Sequence, residues 1–230
     1  MHRMIATLRT DARLQLRNGF YYACAFVLAI YALALSQLPG LGARLAWLVP
    51  ALVLNNLAIT TFYFVGGQVL LEKAEGSLSA QVVTPLRARE YLASKTITLT
   101  LLALAYNLAV VALFTGWRIS PALALGLAAA AAIYTLFGVV AVARYSALNE
   151  YLIPSAGYVG ALMLPVPAYA LGWRHPLLYL HPIEAPLTLM RGALEPLGAG
   201  EWAYGLLYSL LWIGLAAWLA RRALERSATW

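Results

Sequence analysis

The chain has 230 residues, of which 63% are hydrophobic and 11% charged, and a formal net charge of +7. Soluble domains carry roughly 45–50% apolar and about 25% charged residues, so a chain this short cannot bury its apolar surface in a water-soluble fold and part of its solvent must be lipid. The positive charge then reads as membrane orientation and not as nucleic-acid binding; the single cysteine, Cys24, excludes a disulfide framework and a thiolate metal site.

The first 18 residues predict an amphipathic helix lying in the lipid headgroup layer. On a helical wheel Arg3, Arg9, Arg13 and Arg17 share one side, while Met4, Ile5, Leu8, Ala12 and Leu16 cover the opposite one, with Leu14 the exception. Six apolar stretches long enough to cross a bilayer follow, at 19–38, 45–71, 96–117, 121–143, 151–173 and 202–220. Ala32-Leu33-Ala34 resembles a signal cleavage site, but the run around it exceeds a usual signal core and follows the amphipathic segment. None of the six stretches contains Asp, Glu, Lys or Arg, which leaves no titrating group for ion-coupled transport. Energy must enter from elsewhere.

Six spans with the N-terminus in the cytoplasm put Arg3, Arg9, Arg13, Arg17, Lys73, Arg87, Arg89, Lys95, Arg144, Arg221, Arg222 and Arg226 on that side, against Arg44, Arg118, Arg174 and Arg191 outside. The bias predicts a multi-pass protein of the plasma or inner membrane with both termini cytoplasmic. In the second span Asn56, Thr60, Tyr63 and Gly67 share a helical face, and in the third Thr96, Thr100 and Asn107 do. Such stripes turn away from lipid, toward a substrate pathway or toward another helix. The alanines from Ala128 to Ala132 and Gly126 mark the fourth span as closely packed interior. Tyr21, Tyr22, Trp202, Tyr204 and Trp218 sit where interfacial anchors belong.

The connection from Glu72 to Lys95 breaks this pattern. Seven of its residues are charged, and seven charges in hydrocarbon would cost about 20 kcal/mol at ~3 kcal/mol each, so the segment is expected on the cytoplasmic surface. Ala74, Leu78, Gln81 and Val82 predict a short helix with one apolar face. It must stop before Pro85, where Thr84 can cap a new helix with proline in its first position. The last connection is broken differently: six of the eleven prolines lie between Pro165 and Pro196, so the segment 164–200 reads either as half-helices dipping into the outer leaflet or as a surface loop. Its polar residues include His181, Pro182, Glu184 and Arg191. His175, His181 and Glu184 are too loosely spaced, and too interrupted by Pro176 and Pro182, to form a metal site.

There is no phosphate-binding loop, no H-E-x-x-H, no G-x-S-x-G and no aspartate besides Asp11, so neither bound ATP nor a catalytic residue is expected of this chain. The residues Glu72, Lys73, Gly76, Ser77, Leu78, Val82, Val83, Thr84, Pro85, Leu86 and Arg87 resemble the loop after the second span in type-2 permease subunits of ATP-binding-cassette (ABC) exporters. The chain departs from that pattern at Ser77, Ser79 and Gln81. Two further stretches, Ala143–Ser155 and Tyr179–Pro196, are similar to a fluoroquinolone-type drug-exporter subgroup. The resemblance implies an all-α permease domain over 1–230 with a coupling helix in 72–95, contributed by Glu72, Lys73, Glu75, Gly76, Ser77, Leu78, Gln81, Thr84, Pro85 and Arg87. It implies as partners two copies of an ATP-binding subunit that holds ATP and magnesium, a second permease, identical or homologous, and the bilayer. Asn56, Thr60, Tyr63, Thr100 and Asn107 are the candidate pathway residues. The alternatives are a membrane scaffold or immunity-type protein that transports nothing, and a lipid or glycan exporter.

Overall fold

In the computed structural model, residues 2–37, 49–78, 86–115, 119–173 and 175–227 are described. Among them the chain is helical throughout, joined by turns, with no strand. The N-terminal helix α1 (His2–Arg17) is followed by α2 (Phe20–Gln37), α3 (Val49–Ala74), α4 (Ala88–Thr115) and α5 (Pro121–Val142). Two shorter helices, α6 (Leu148–Leu162) and α7 (Pro165–Ala170), lead to a 3₁₀ turn at Pro176–Leu180, then α8 (Glu184–Arg191) and the long α9 (Ala199–Ser227). Helices α2, α3, α4, α5 and α9 are long and apolar enough to cross a membrane.

α5 is the axis of the bundle. Ser120 accepts a hydrogen bond from the Leu123 N–H and Pro121 occupies the first helical position, a pairing that reduces the orphan donors at the helix start. Small side chains then let neighbours approach on every side: Ala129 to Ala132 are buried, and α3, α4, α8 and α9 pack around them. The interior position expected of the fourth span is observed. At Gly126 a Cβ would lie 2.7 Å from the Pro186 carbonyl oxygen and 2.9 Å from the Met190 nitrogen, so only glycine admits α8 at this distance.

Three of the expected boundaries shift. The third span opens at Ala88, eight residues before the apolar run, and its first turn is capped by Glu90, which accepts from the Arg87 N–H at 3.0 Å. The expected cap, Thr84, and Pro85 lie outside the described residues, as does Gln81. The short helix expected from Ala74 does not begin there: Ala74 ends α3, Glu75 and Gly76 form a turn with Gly76 at φ +68°, and the chain is helical again at Ser77 and Leu78. The positive φ suits glycine and would strain any side chain.

The fifth expected span, 151–173, is two pieces. α6 ends at Leu162 after 15 residues, about 22 Å at 1.5 Å each, and α7 starts at Pro165. Pro165 and Pro167 lack the N–H groups that would continue the ladder, which explains the break. Further on, α8 is short but has six buried residues, Ala185 to Met190, wedged against α5 and α9.

Candidate functional site

Two features occupy the end of the bundle that carries Glu72 and Lys95. The first is a buried ion cluster. Lys95 lies on α4 immediately before its apolar run, and its side chain is 0% exposed. Its Nζ is 2.6 Å from Asp11 Oδ1 of α1 and also contacts Glu72 Oε1 of α3. The remaining acceptors are filled: Tyr91 OH donates to Glu72 Oε2 at 2.7 Å, Ser94 Oγ donates to Asp11 Oδ2 at 2.5 Å, and Gln68 Nε2 donates to Asp11 Oδ1 at 3.2 Å. The ammonium also sits 4.8 Å from the centre of the Tyr91 ring. Gln15 Nε2 adds a bond to Thr98 Oγ1 at 2.8 Å. Every carboxylate oxygen thus has a donor, the condition under which buried charges are tolerated.

Helical spacing builds this cluster. Gln68 and Glu72, Tyr91 and Lys95, and Asp11 and Gln15 are each i, i+4 pairs on one face of their helix. Three helices meet through them. The face of α1 that packs on α4 is therefore centred on Asp11 and Gln15, while Ile5 and Leu16 of the expected apolar face stay exposed. Sequence reasoning missed this cluster because it treated all seven charges of 72–95 as solvated. Glu72 and Lys95 are buried, Lys73 is half-buried, and only Glu75, Arg87 and Arg89 are exposed. The available signal was the lone acid of a basic helix, one turn from Leu8 and next to Ala12.

Lys73 makes a second tie. Its Nζ donates to the carbonyls of Ala143 (2.7 Å) and Tyr145 (2.8 Å) at the end of α5, where helical carbonyls lack partners and cations are favoured. The turn at Glu75–Gly76 consequently stands on a helix end fastened to α1, α4 and α5; at its rim Glu75 pairs with Arg17 at 3.4 Å, both exposed. Leu78, expected among the coupling-helix residues, is 4% exposed and belongs to the chain's own core, and Ser77 Oγ bonds back to the Glu72 carbonyl at 3.2 Å.

The second feature is a cavity of about 470 Å³ between α4, α5 and α9, lined on one side by Arg89, Thr96 and Ile97 and on the other by Ile213, Trp218 and Arg221. Of the candidate pathway residues, none lines it. Asn56 accepts from Tyr31 OH of α2 at 3.3 Å, Thr60 bonds to the Asn56 carbonyl at 2.9 Å, and Asn107 Nδ2 bonds to the Ala103 carbonyl at 2.8 Å; these are packing contacts. Tyr63 is half-buried and touches the Phe62 ring edge-on, and Thr100 Oγ1 is buried without a partner. The helix widens to π geometry over Ala58–Tyr63, so Asn56, Thr60, Tyr63 and Gly67 do not keep the α-helical stripe their spacing suggests. Such π turns recur at functional positions.

At the opposite, proline-rich end the polar groups serve the backbone. His181 Nδ1 accepts from the Ile183 N–H at 3.2 Å, so Nε2 carries the proton and donates to the Ala161 carbonyl at 2.9 Å. That arrangement needs the neutral ring, and burial lowers the His181 pKa below its ordinary value while the Ala161 bond opposes the shift. Tyr204 and Tyr208 of α9 donate to the Tyr179 and Leu180 carbonyls, each at 2.8 Å. Their rings continue a ladder from Tyr179 through Tyr204 and Tyr208 to Trp212 and Phe137 of α5. Arg191 bonds Thr188 Oγ1 at 3.2 Å and lies 4.0 Å from Glu201; with Glu184 it lines a small pocket of about 80 Å³. Pro182 is half-buried between His181 and Ile183.

Long apolar helices packed around a small-residue axis, with the charged side chains gathered toward the two ends of the bundle, define a multi-pass helical membrane protein. The chain belongs to the fluoroquinolones export permease protein family, whose profile matches residues 2–229. Two curated relatives are the fluoroquinolones export permease proteins of Mycobacterium tuberculosis strains CDC 1551/Oshkosh and ATCC 25618/H37Rv. Each is 32% identical over 228 residues, covering 97% of this chain and 94% of the relative.

Proposed function

We propose that this chain is the permease subunit of an ATP-driven exporter that moves a small amphipathic, drug-like compound out of the cell. A separate ATP-binding subunit, present in two copies, handles ATP and magnesium, and a second permease, identical or homologous, completes the pathway. The substrate class follows the names of the M. tuberculosis relatives. α6 and α7 together serve as the fifth of six crossings, which puts both termini in the cytoplasm, and α8 is a re-entrant half-helix roofing the bundle. The chain performs no catalysis itself.

The observation that carries this reading is the exposed turn at Glu75–Gly76, paired with Arg17 and standing on helices bound together by Asp11, Lys95 and Glu72. A rigid surface projection tied to three helices at once can pass a push from a docked subunit into the membrane without flexing. The test is export of a fluorescent fluoroquinolone from cells expressing the chain with the ATP-binding subunit that co-purifies with it. Export should stop when that subunit's phosphate-binding lysine is replaced. Export that persists without any ATP-binding subunit, or ATP hydrolysis by the purified chain alone, would overturn the reading.

A further inference from the structure

We propose that the groove between α4 and α9 holds an anionic phospholipid of the leaflet that meets the charged end. One acyl chain fills the cavity of about 470 Å³, and the phosphate sits in an adjoining hollow of about 240 Å³. The inference goes beyond the export reading and does not rest on it, because this lipid is a resident of the bilayer and not cargo.

The two hollows differ in chemistry as the two halves of a lipid do. The larger has an apolar wall, with Leu136 of α5 at the back and Ile97 and Ile213 on the sides. The smaller is lined by three arginines, Arg87, Arg89 and Arg221, against one acid, Glu225. Arg89 and Arg221 line both, so they stand at the junction, where the phosphate lies when a chain enters the cavity. Arg221 pairs through Nε with Glu225 at 3.1 Å, which leaves its other donors. Among the described residues no carboxylate pairs with Arg89. Guanidinium groups meet phosphate oxygens through paired hydrogen bonds, and basic pockets between membrane helices recruit anionic headgroups.

The rest of the groove follows the lipid from headgroup to chain. Trp218 is 45% exposed and carries Arg222 at 4.0 Å from its ring, a pairing suited to the headgroup level. Thr96 lies two turns beyond Arg89 on the same face of α4. Its Oγ1 is buried with no hydrogen-bond partner, a costly state that an ester carbonyl of the glycerol would relieve. Ile97, on the α4 wall, is 41% exposed, and beyond it Leu101 of α4 and Leu210 of α9 are 61% and 63% exposed. The cavity therefore borders an apolar, lipid-facing surface, and its occupant arrives along the bilayer. A free phosphate has no use for such a wall.

The probes are palmitoyl-oleoyl phosphatidylglycerol and its zwitterionic counterpart phosphatidylcholine. Each is titrated onto the purified chain in dodecyl maltoside, and retained lipid is counted by native mass spectrometry. One phosphatidylglycerol should bind about thirtyfold more tightly than phosphatidylcholine, the scale of two arginine contacts. Arg89→Gln with Arg221→Gln should remove that preference and leave phosphatidylcholine binding unchanged. Both arginines are exposed, so the fold does not depend on them. Ala217→Leu, which narrows the cavity from α9, should weaken both lipids about tenfold, with a melting transition checking that the variant is folded. Equal binding of the two lipids by the wild type, or a preference that survives in the double arginine variant, would overturn the proposal. Wild-type affinity in a folded Ala217→Leu variant would do the same. So would displacement of phosphatidylglycerol by millimolar inorganic phosphate, which would make this a plain anion site. Loss of the lipid from the complex with the proposed ATP-binding subunit would give the arginines to that subunit and equally overturn it.

Discussion

The two ends of this bundle hold their helices together by different means. At the charged end, α1, α3 and α4 meet through Asp11, Glu72 and Lys95, three ionised side chains that are 4%, 3% and 0% exposed. At the proline-rich end, the 3₁₀ turn and α8 are held by apolar packing on α5 and by tyrosine and histidine bonds to backbone carbonyls. The charged end is all-or-none: no member can leave without stranding the others in a low-dielectric site. The other end is a sum of separable contacts, each worth about 0.5–1.5 kcal/mol. A stiff end suits the transmission of force, and a compliant one suits opening.

The sharpest way to break this contrast is Lys95→Met. It leaves two buried carboxylates unpaired, and removing one partner of a buried ion pair costs about 3–5 kcal/mol. Thermal unfolding of the purified chain should show the largest shift of any single change considered. Combining it with Asp11→Asn and Glu72→Gln, which removes the charges together, should recover most of the loss. If the triple variant were no more stable than Lys95→Met, the cluster would not be the interdependent unit described.

A smaller effect is expected from Gly126→Ala. The new methyl would meet the Pro186 carbonyl at 2.7 Å, and because that atom is backbone, α8 must shift as a body. Overpacking of this kind costs about 1–3 kcal/mol, and limited proteolysis should find the segment after α7 more open while the charged end stays protected. The smallest effect is set by pH. Burial holds the His181 pKa below its unfolded value, so the unfolded chain binds the proton first as pH falls. The stabilisation from neutral His181 is fully present above the ordinary histidine pKa and is lost as pH falls through the lowered folded value. Wild-type stability should therefore decline on acidification more than that of His181→Gln, and parallel pH profiles would remove the histidine from the account.

The spans were legible because their signal is local: apolar length and the absence of charge place α2, α3 and α5 within a few residues, while α4 opens eight residues before its apolar run and α9 continues seven beyond it. The alanine run and Gly126 also disclosed the axial role of α5. The break between α6 and α7 was visible in Pro165 and Pro167 but was outweighed by the apolar length of 151–173. The ion cluster was less legible because it is a tertiary fact. Asp11, Glu72 and Lys95 are far apart in sequence, and a charge beside an apolar run looks the same whether it faces water or another charge. The stripe at Asn56, Thr60 and Tyr63 is altered for a local reason: the π turn at Ala58–Tyr63 changes the angle per residue that the spacing assumes. The cavity has no sequence signal at all, since Arg89, Thr96, Trp218 and Arg221 converge only when α4 and α9 pack.

The central claim is that force enters this permease through the turn at Glu75, and contact mapping tests it most directly. In a Cys24→Ser background, a photo-crosslinker is attached at Glu75→Cys or at Glu195→Cys, both exposed positions, and the complex with the proposed ATP-binding subunit is irradiated in membranes. The account predicts an adduct with that subunit from position 75 and none from position 195, with export falling in proportion to the adduct formed. Adducts from position 195 alone, or export untouched by full crosslinking at position 75, would contradict it.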